Sequence, residues 1–468
     1  HTDGLGNAYN FNYDINDNLI QAKDPLNAGS QPFNYRNGGV LTQEVNTDYG
    51  NKNYGYDESD LLTQFIFGTR KCDYLNIDAA ERVGQTTCSN TASSVDPTLI
   101  HSFGYTYDQS RFNNLDSVIS NDAEYGASDS YVYDEFGRMI GKSQTNKSVA
   151  TWGATTPILS VGYGYAPNDK PQVLRLASGR IVTFNYDQIK KNQLKSISLN
   201  DTVIINNVNY NSAGFLTGWN WGSGSASYGI SYDASKNGTI KSITNQDNAG
   251  AVNFSLLYET DQDGRITQIT RNNGTYDKFS YDAGSRLISE SRNNGEVNIF
   301  GIQYTYDQNG NRTSLAATGA HQQPQANVTY TYTGNKLSAI NGNATQHNEN
   351  AELIYGAFTP TYDNAGNRRR DQMVGDGSAS QFYMAYNDKN QRTLRAHIAN
   401  GSEWKADTIQ YVYDEEGHLI GEYGSNGVPI VEYIWYKNKP IAAIYGESAT
   451  IYWIVTDLNN TPRRLINS

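Results

Sequence analysis

Methionine, cysteine and proline are scarce in this sequence, and a long apolar run is missing. Among 468 residues there are three Met, two Cys and 11 Pro, and the mean hydropathy is -0.66. Without a run of about 18 apolar residues, we expect no segment that spans a bilayer. Basic residues number 36 against 48 acidic ones, and the net charge of -12 disfavours nucleic acid or an anionic membrane as a partner of the whole surface.

Tyrosine and glycine are abundant instead, with 36 and 43 residues. Aromatic and β-branched residues favour strands, and Gly with Asn and Asp favours the turns between them. The composition therefore predicts an all-β protein. The chain starts at His1 without a charged and apolar leader, so we expect a fragment or a processed product of something longer.

An aromatic residue placed just before a turn recurs about every 25 residues, which predicts one long repeat array. From the middle of the chain onward the series reads Tyr186, Tyr210, Tyr232, Tyr258, Tyr281, Tyr306, Tyr332, Tyr362, Tyr386 and Tyr413. The earlier members, which are less regular, are Tyr13, Tyr35, Tyr56, Tyr107 and Tyr133.

Two of these repeats are almost identical: YVYDEFGRMIG at residues 131–141 and YVYDEEGHLIG at residues 411–421. Alternation before the turn is the period of a strand. Asp can accept hydrogen bonds from the next backbone N–H groups, and Gly three residues later supplies a positive φ, so Asp-x-x-Gly predicts a type I turn with a Gly bulge. Each repeat is therefore predicted to be one β-hairpin.

The gap in the series falls at residues 70–100, which we interpret as an insertion in the array. It contains Cys72 and Cys88. A disulfide between them would suit an exported protein, and two reduced thiols remain an alternative. Two Cys without a companion pair or a nearby His do not make a zinc site.

A single hairpin buries too little surface to be stable alone, so each must pair with its neighbours. Strand twist accumulates over more than about twenty strands, and such a sheet must coil, split or close. Low aliphatic content argues against a sandwich with a dry core throughout. We therefore predict hairpins of about 25 residues in one continuous antiparallel sheet that coils into a shell-like wall, with Tyr on one face.

The repeated Tyr-Asp-x-x-Gly-Arg-Leu pattern resembles the YD repeats of Rhs proteins, a family that includes bacterial polymorphic toxins, the C component of insecticidal toxin complexes and teneurins. The resemblance covers residues 1–468. Residues 411–468, which include YVYDEEGHLIGEYGSNGVPIVEYIWYKNKPIAAI and YWIVTDLNNTPRRLI, are similar to the segment that leads into the Rhs-associated core. The family usually has Asp-His-Leu before Asn-Thr-Pro-Arg, whereas Asp457 is followed here by Leu458 and Asn459.

The resemblance implies a hollow β-shell, in which a ribbon of antiparallel β-hairpins spirals into a cocoon. In family members that carry toxins, the shell encloses a variable C-terminal domain, which is released at an autoproteolytic aspartyl site with Asp-Pro and Gly. The Asp-Pro pairs of this sequence, Asp24-Pro25 and Asp96-Pro97, lie far upstream and lack that Gly. We therefore expect both the cleavage site and the effector to be absent from these residues. Expected partners are an enclosed toxin domain and secretion-machinery or toxin-complex components.

Carboxylates that follow a Tyr invite a metal-binding or glycosidase interpretation, but they recur with the period and are predicted to be turn residues: Asp134, Asp307, Asp363 and Asp414. The segment from Asp261 begins like a calcium loop but lacks the later oxygen ligands and the Glu at its twelfth position. Residues Gly137 to Ser143 resemble a phosphate loop, with three residues where that motif needs four between Gly137 and Gly141.

No other residue pattern predicts a site. The histidines are scattered without a metal-binding spacing: His1, His101, His321, His347, His397 and His418. No Ser or Cys nucleophile can be nominated. The basic clusters, Arg368 to Arg370 and Arg463 to Arg464, are interpreted as solvated strand edges. Glycosylation sequons at Asn146, Asn311 and Asn327 are expected from the abundance of Asn, Ser and Thr, and they say little about glycosylation.

The leading hypothesis is structural: a bacterial, secreted or cell-surface shell without catalytic, cofactor or metal residues, which confines an effector until delivery. The alternative is a carbohydrate-binding or adhesion array, although such arrays rely on Trp, and here six Trp stand against 36 Tyr. A propeller would need about ten blades, above the usual limit of eight. An enzyme has the least support.

Overall fold

The computed structural model describes most of the chain. The described residues are 1–26, 30–90, 101–108, 113–122, 126–147, 157–187, 193–236, 238–319, 327–347, 353–354, 358–363, 367–373, 381–399 and 402–467. They divide into two compact units. Unit 1 comprises residues 1–105, 120–122 and 276–382, and unit 2 comprises residues 106–119, 123–275 and 383–468.

Strands dominate the described residues, and they are numbered here in chain order. The first fourteen are β1 (Asn10–Tyr13), β2 (Leu19–Lys23), β3 (Ser30–Arg36), β4 (Val40–Glu44), β5 (Lys52–Tyr56), β6 (Leu62–Phe67), β7 (Arg70–Leu75), β8 (Gln85–Asn90), β9 (His101–Tyr107), β10 (Leu115–Ser120), β11 (Ala127–Tyr133), β12 (Met139–Asn146), β13 (Leu159–Tyr165) and β14 (Pro171–Arg175).

The middle of the chain continues the same succession of strands. These are β15 (Ile181–Tyr186), β16 (Leu194–Leu199), β17 (Thr202–Tyr210), β18 (Leu216–Trp221), β19 (Ser227–Asp233), β20 (Thr239–Gln246), β21 (Val252–Thr260), β22 (Ile266–Arg271), β23 (Thr275–Tyr281), β24 (Leu287–Asn294), β25 (Val297–Tyr306), β26 (Arg312–Gly319), β27 (Asn327–Thr333) and β28 (Lys336–Ile340). A short 3-10 helix, Ala234–Lys236, separates β19 from β20.

The remaining strands are shorter at first and then lengthen toward the end of the chain. They are β29 (Asn343–Ala344), β30 (Gln346–His347), β31 (Leu353–Ile354), β32 (Phe358–Tyr362), β33 (Arg368–Met373), β34 (Gln381–Tyr386), β35 (Arg392–Ala399), β36 (Ser402–Tyr413), β37 (Leu419–Gly424), β38 (Pro429–Tyr436), β39 (Lys439–Tyr445), β40 (Thr450–Thr456) and β41 (Pro462–Asn467).

Strands pair antiparallel with their neighbours in sequence. In the β11–β12 hairpin, Ala127 faces Asn146 and Val132 faces Gly141, and the register then shifts so that Tyr133 faces Met139. Among the described residues, the largest sheet has 29 strands and the next has ten. The prediction of an all-β fold made of antiparallel hairpins is confirmed.

The predicted turn is also found, with its bulge. Gly137 has a φ of 79° and Gly417 a φ of 87°, a left-handed conformation that costs a residue with a side chain more than it costs Gly. The register shift beside Tyr133 recurs beside Tyr413. Type I turns that continue into a Gly bulge are a common way to close a hairpin.

Unit 1 contains the two cysteines, which form a disulfide. Cys72 on β7 lies directly opposite Cys88 on β8. Residues 70–75 and 85–90 of the predicted insertion are thus a hairpin that pairs with β6 and β9, while residues 91–100 lie outside the described residues. Of the two alternatives left open by the sequence, the structure has the bond.

Unit 2 contains a dry core, which the sequence analysis did not predict. Its centre includes Trp219, Trp221 and Tyr228, all at most 2% exposed. Strands from residues 159–258 and from residues 412–466 contribute to the same cluster, and Trp453 stacks on Trp221 with ring centroids 5.5 Å apart. The average composition concealed this core because apolar residues are concentrated in those two segments.

Unit 2 also ties its last strands to earlier ones through polar contacts. The side-chain amide of Gln144 donates to the carbonyl of Tyr411 at 2.9 Å. Tyr258 accepts a hydrogen bond from the backbone N–H of Leu458. Helices long and apolar enough to cross a membrane do not occur in the described part of the chain.

Candidate functional site

The Asp of each well-preserved repeat organises its turn through several hydrogen bonds. Asp134 donates its backbone N–H to Arg138 O at 2.9 Å and accepts from the N–H of Gly137 at 3.0 Å. Its Oδ1 accepts the N–H groups of Phe136 and Arg138, and its Oδ2 accepts Arg138 Nε at 2.8 Å. Both carboxylate oxygens are therefore used within the turn.

The second copy of the phrase repeats these contacts with a different partner. Asp414 Oδ1 accepts the N–H groups of Glu416 and His418, and its Oδ2 lies 2.9 Å from His418 Nδ1. Burial lowers the pKa of His418, but the hydrogen bond and charge of Asp414 outweigh it and hold the pKa above its usual value. His418 therefore takes the place that Arg138 holds in the first copy.

The other carboxylates singled out in the sequence lie in equivalent turns. Asp307 and Asp363 each bind the Asn four residues later through the backbone and side chain of that Asn. Asp261 accepts the N–H groups of Asp263 and Arg265 and the Arg265 side chain. The calcium-like segment is thus another hairpin turn. The five carboxylates each lie in a separate turn: Asp134, Asp261, Asp307, Asp363 and Asp414.

The residue four positions after the Asp also contacts the next repeat. Arg138 lies over the ring of Tyr165, 4.8 Å from its centroid, and Arg286 lies over Tyr306 at 4.9 Å. His418 stacks on Trp435 with centroids 4.7 Å apart. A cation over an aromatic face is attracted by the ring quadrupole, so one side chain stabilises its own turn and the hairpin after it.

The tyrosine just before the turn makes the complementary contact with the repeat before it. The residue that follows it is Asp in most repeats, but Arg36, Ala166 or Thr333 in three of them. The tyrosine hydroxyl donates to a backbone carbonyl near the start of the second strand of the preceding hairpin. We call this contact the tyrosine lock, and the pairs, 2.6 to 3.0 Å apart, are Tyr35–Leu19, Tyr56–Leu41, Tyr133–Leu115, Tyr165–Met139, Tyr186–Pro171, Tyr232–Leu216, Tyr306–Leu287, Tyr332–Arg312 and Tyr413–Arg392.

A second class of tyrosine lies two positions earlier and donates to a glutamate. Tyr54 reaches Glu44 at 2.6 Å, and Tyr304 reaches Glu290 at 2.8 Å. Sequence reasoning placed these rings on one sheet face but missed both kinds of hydroxyl partner. Neither partner leaves a signal in the sequence, because a glutamate on a strand is usually solvated and every residue has a backbone carbonyl.

Unit 2 holds an acid–lysine cluster that sequence reasoning also missed. Asp129 and Lys142 are its buried members, and half-buried Asp388 and exposed Glu415 lie beside them. Lys142 Nζ lies 3.8 Å from both Asp129 Oδ2 and Glu415 Oε1, and the side chains of Lys142 and Asp129 are 2% exposed. Burial raises the pKa of Asp129 to about 6, against the opposing charge of Lys142. Burial likewise raises the pKa of Asp388.

The alternation along β11 could have revealed this cluster, because Asp129 lies on the same side of the strand as the buried Ala127 and Tyr131. The hydroxyl of Tyr131 and Oδ1 of Asp129 have no hydrogen-bond partner among the described residues. Unpaired buried polar atoms of this kind cost free energy, which marks the cluster as a strained part of unit 2.

Another buried ion pair joins Arg180, in the turn between β14 and β15, to Glu432 on β38. Arg180 Nη1 lies 2.8 Å from Glu432 Oε2, and the Glu432 side chain is fully buried. Tyr423 donates to the other Glu432 oxygen at 2.6 Å, and Ser178 donates to Oε2 at 2.8 Å. Because the carboxylate is surrounded by donors, it can be buried with its charge.

Among the described residues, the pair that most resembles a nucleophile with its base is Thr456 with Lys439. Burial lowers the pKa of Lys439 to about 8, and Lys439 Nζ donates to Thr456 Oγ1 at 2.7 Å. A base beside a hydroxyl is an arrangement used in covalent catalysis. Thr456 is only 1% exposed and also shares a hydrogen bond with Tyr228, so a substrate would need a path to it that the surrounding side chains close.

The remaining residues considered in the sequence lie apart from one another. His101 is buried in unit 1, 3.7 Å from Asp363, whereas His1 is exposed and His321 lies outside the described residues. Within the described ranges, no three His, Cys, Asp or Glu side chains are arranged to hold a metal ion. Gly137 belongs to a turn, and Gly141 and Ser143 are strand residues of β12.

The basic clusters and sequons are also separate. Arg463 pairs with Asp457, and Arg464 donates to the carbonyl of Asn253. Arg368 is exposed on β33, and the side chains of Arg369 and Arg370 lie outside the described residues. Asn146 is fully buried, while Asn311 lies in a turn and Asn327 is exposed.

Comparison with solved structures shows the same fold in Tc toxin complexes. The crystal structure of TcdB2-TccC3 without the hypervariable C-terminal region matches with a TM-score of 0.79 at 13% identity, over 98% of this chain and 25% of that chain. The Photorhabdus luminescens Tc holotoxin pore with the TccC3-D651A mutation matches with a TM-score of 0.78 at 14% identity, over 98% and 25%. TcdB2-TccC3-Cdc42 matches with a TM-score of 0.78 at 12% identity, over 98% and 26%.

This chain therefore spans about a quarter of the length of those toxin chains. No curated protein sequence matches it significantly. The sequence model described as Teneurin YD-shell matches residues 170–428, which is more than half of the chain. Together with the repeated Tyr-Asp turns and the shared fold, this match shows that the chain belongs to the teneurin YD-shell family.

Proposed function

We propose that this chain is part of the wall of an encapsulating shell, which confines an effector domain until it is delivered to a target cell. The tyrosine lock carries the proposal: it occurs repeat after repeat and joins neighbouring hairpins. A contact that recurs with the repeat serves the array as a whole, as in other repeat proteins whose stability is a sum over neighbours.

Family membership and the fold shared with toxin complexes support the same function. The proposed partners are a C-terminal toxin domain inside the shell and other components of a toxin complex or secretion machinery. The proposed location is secreted or at the surface of a bacterium. Residues 411–468 would lead into the Rhs-associated core, and residues 70–100 would be an insertion in the array.

Electron microscopy of the full-length gene product tests the proposal. We expect a hollow particle whose wall consists of β-hairpins. A solid rod or a propeller would contradict it. Limited proteolysis of the same sample gives a second measurement: a C-terminal effector should stay uncut in the native protein and become cleavable once urea has unfolded the wall.

We also propose that the described residues catalyse no reaction. The periodic carboxylates are used within their turns, and the buried Lys439–Thr456 pair is closed off by its neighbours. Incubation of the purified chain with DNA, RNA, casein and polysaccharide should give no turnover. Turnover that disappears in a Lys439→Met variant would assign catalysis to that pair and end this proposal.

A further inference from the structure

The disulfide of unit 1 lies beside a buried histidine. Cys72 on β7 is directly opposite Cys88 on β8, and Cys88 is directly opposite His101 on β9. Residues that face each other on adjacent antiparallel strands project to the same side of the sheet, with Cβ atoms about 4.5 to 5.5 Å apart. The two sulfurs and the imidazole therefore form one row across three strands, which we call the disulfide row.

The ring of His101 is also held by groups outside the disulfide row. Its Nδ1 lies 3.7 Å from Oδ2 of Asp363, whose side chain is fully buried. The side-chain amide of Asn367 lies 3.4 Å from the same nitrogen and donates to Asp363 Oδ2 at 3.2 Å. Phe103 packs edge to face against the imidazole, with ring centroids 4.9 Å apart. A carboxylate thus orients an imidazole next to Cys88, which is an arrangement used for proton transfer to and from sulfur.

The two sulfur atoms differ in their access to solvent. Cys88 is 6% exposed and His101 is 8% exposed, whereas Cys72 is half-buried. A thiolate in solution therefore reaches Cys72 first, and Cys88 becomes the leaving group. A thiolate released into a buried position is costly unless a proton or a positive charge meets it, and His101 is placed to supply one.

The disulfide row does not belong to the repeat pattern. The tyrosine lock and the Asp turn recur along the array, but the chain has only two cysteines, and both lie in this row. Closing a hairpin with a disulfide does not require an imidazole and a carboxylate beside it, and burial of these two polar groups costs free energy. A half-buried sulfur next to a histidine is typical of reactive cysteines.

We propose that Cys72 and Cys88 form a redox-active disulfide that exchanges with dithiols in solution. One thiolate of the dithiol attacks Cys72 Sγ, the bond between the two cysteines breaks, and Cys88 Sγ leaves with the electron pair and takes a proton from His101. The second thiolate then attacks the dithiol sulfur of the mixed disulfide, which releases Cys72 as a thiolate and leaves the dithiol oxidised. Each chain reacts once, so this is not turnover, and the proposal does not depend on the confinement of an effector.

Reduction of the folded, purified chain by dithiothreitol tests the proposal. Free thiols are alkylated at timed intervals without denaturant and counted by mass spectrometry, and far-UV circular dichroism checks that each chain is folded. His101→Gln should slow the reduction about 10-fold, because the leaving thiolate no longer receives a proton. A histidine that only packs would have the opposite effect, since looser packing of β9 would expose Cys88 and speed the reduction.

His347→Gln is the matched control, because His347 is another histidine of unit 1 and lies on β30, outside the sheet that contains the cysteines. It should be reduced at the rate of the parent chain. A second measurement needs no variant: after brief exposure of the parent chain to glutathione and an acid quench, glutathione should be attached to Cys72, with Cys88 free. Any of three results would overturn the proposal: reduction of the parent chain only in urea that unfolds it, an equal or faster rate for His101→Gln, or glutathione on Cys88.

Discussion

The hydroxyl of Tyr35 donates a hydrogen bond to the backbone carbonyl of Leu19 at 2.9 Å and so joins one hairpin of unit 1 to the hairpin before it. Tyr13 occupies the same position in the first turn, but its hydroxyl has no hydrogen-bond partner among the described residues and its side chain is exposed. The two tyrosines hold equivalent positions but differ in the lock and in burial, so removing only the hydroxyl of each compares a residue that makes the lock with one that does not.

Tyr35→Phe should lower the free energy of unfolding by about 1 kcal/mol, because it removes a hydrogen bond and leaves a carbonyl without its donor. Tyr13→Phe should leave stability unchanged within error. Chemical denaturation followed by far-UV circular dichroism measures both. If the two substitutions cost the same, the hydroxyl contributes nothing and the tyrosine acts through its ring.

The pKa of His418 is held above its usual value of about 6.5 by Asp414. Since the folded-state pKa is the higher one, the resulting stability is fully present below about pH 6.5 and is lost as the pH rises through the folded-state pKa. NMR titration of the His418 ring should give this raised pKa in the native chain. Asp414→Asn should bring it down toward the ordinary value.

His418→Arg provides the control for the effect on stability, since Arg fills the same position beside Asp134. Arg keeps its charge at every pH in the test, so the variant should lose less stability than the parent chain between pH 6 and pH 8.5. A parent chain with an unshifted His418 pKa would contradict the role assigned to Asp414.

Burial raises the pKa of Asp129 to about 6, whereas an unfolded Asp titrates near 3.9. The contribution of Asp129 to stability is therefore greatest below about pH 4 and is lost as the pH rises through about 6. Asp129→Asn does not titrate, so its stability relative to the parent chain should increase between pH 4 and pH 7.5. Denaturation curves for both chains at each pH give this difference.

The pKa of Asp129 also depends on its charged neighbours, which must be the same in the two chains that are compared. Lys142 and Lys389 favour its charged form, and Asp388 and Glu415 oppose it. Asn is also neutral in the unfolded chain, so the comparison isolates the Asp129 carboxyl as long as these four neighbours are unchanged. A flat pH profile for Asp129→Asn would show that this carboxylate is not desolvated in the native protein.

The disulfide between Cys72 and Cys88 closes a loop of 16 residues. Reducing it should destabilise the β7–β8 hairpin by about 3 kcal/mol on the chain-entropy account. Hydrogen exchange of the β7 and β8 amides with and without dithiothreitol measures the loss locally. The double substitution of Cys72 and Cys88 by Ala should exchange like the reduced chain and no longer respond to the reductant.

Much of the fold could be predicted from the sequence because its rules are local. Asp134 or Asp414 and the Gly three residues later determine a turn, and the alternation that follows determines a strand. Both patterns depend only on neighbours in the chain. The dry core around Trp219 and Trp453 could not be predicted, since it depends on which distant strands pack together. The Asp129–Lys142 pair, which lies within one hairpin, was missed for another reason: a charged residue on a strand is usually solvated.

The tyrosine lock was partly predictable. The sequence predicted where each ring stands, but the acceptor is a backbone carbonyl, and every residue type has one. The side chain of the acceptor residue, such as Leu115, Met139 or Leu216, takes no part in the hydrogen bond, so the residue type does not reveal it. The position of the residue four after the Asp was more informative, because a basic side chain recurs there at Arg138, Arg265 and Arg286.

The tyrosine lock has a direction. In every pair the carbonyl belongs to the earlier residue and the hydroxyl to the later one, as in Tyr56 with Leu41 and Tyr306 with Leu287. A hairpin that has just left the ribosome therefore finds the acceptor of its own lock already synthesised. The locks can form in the order of translation, one hairpin at a time from the amino terminus, whereas the core of unit 2 is completed only when the strands after residue 412 have been made.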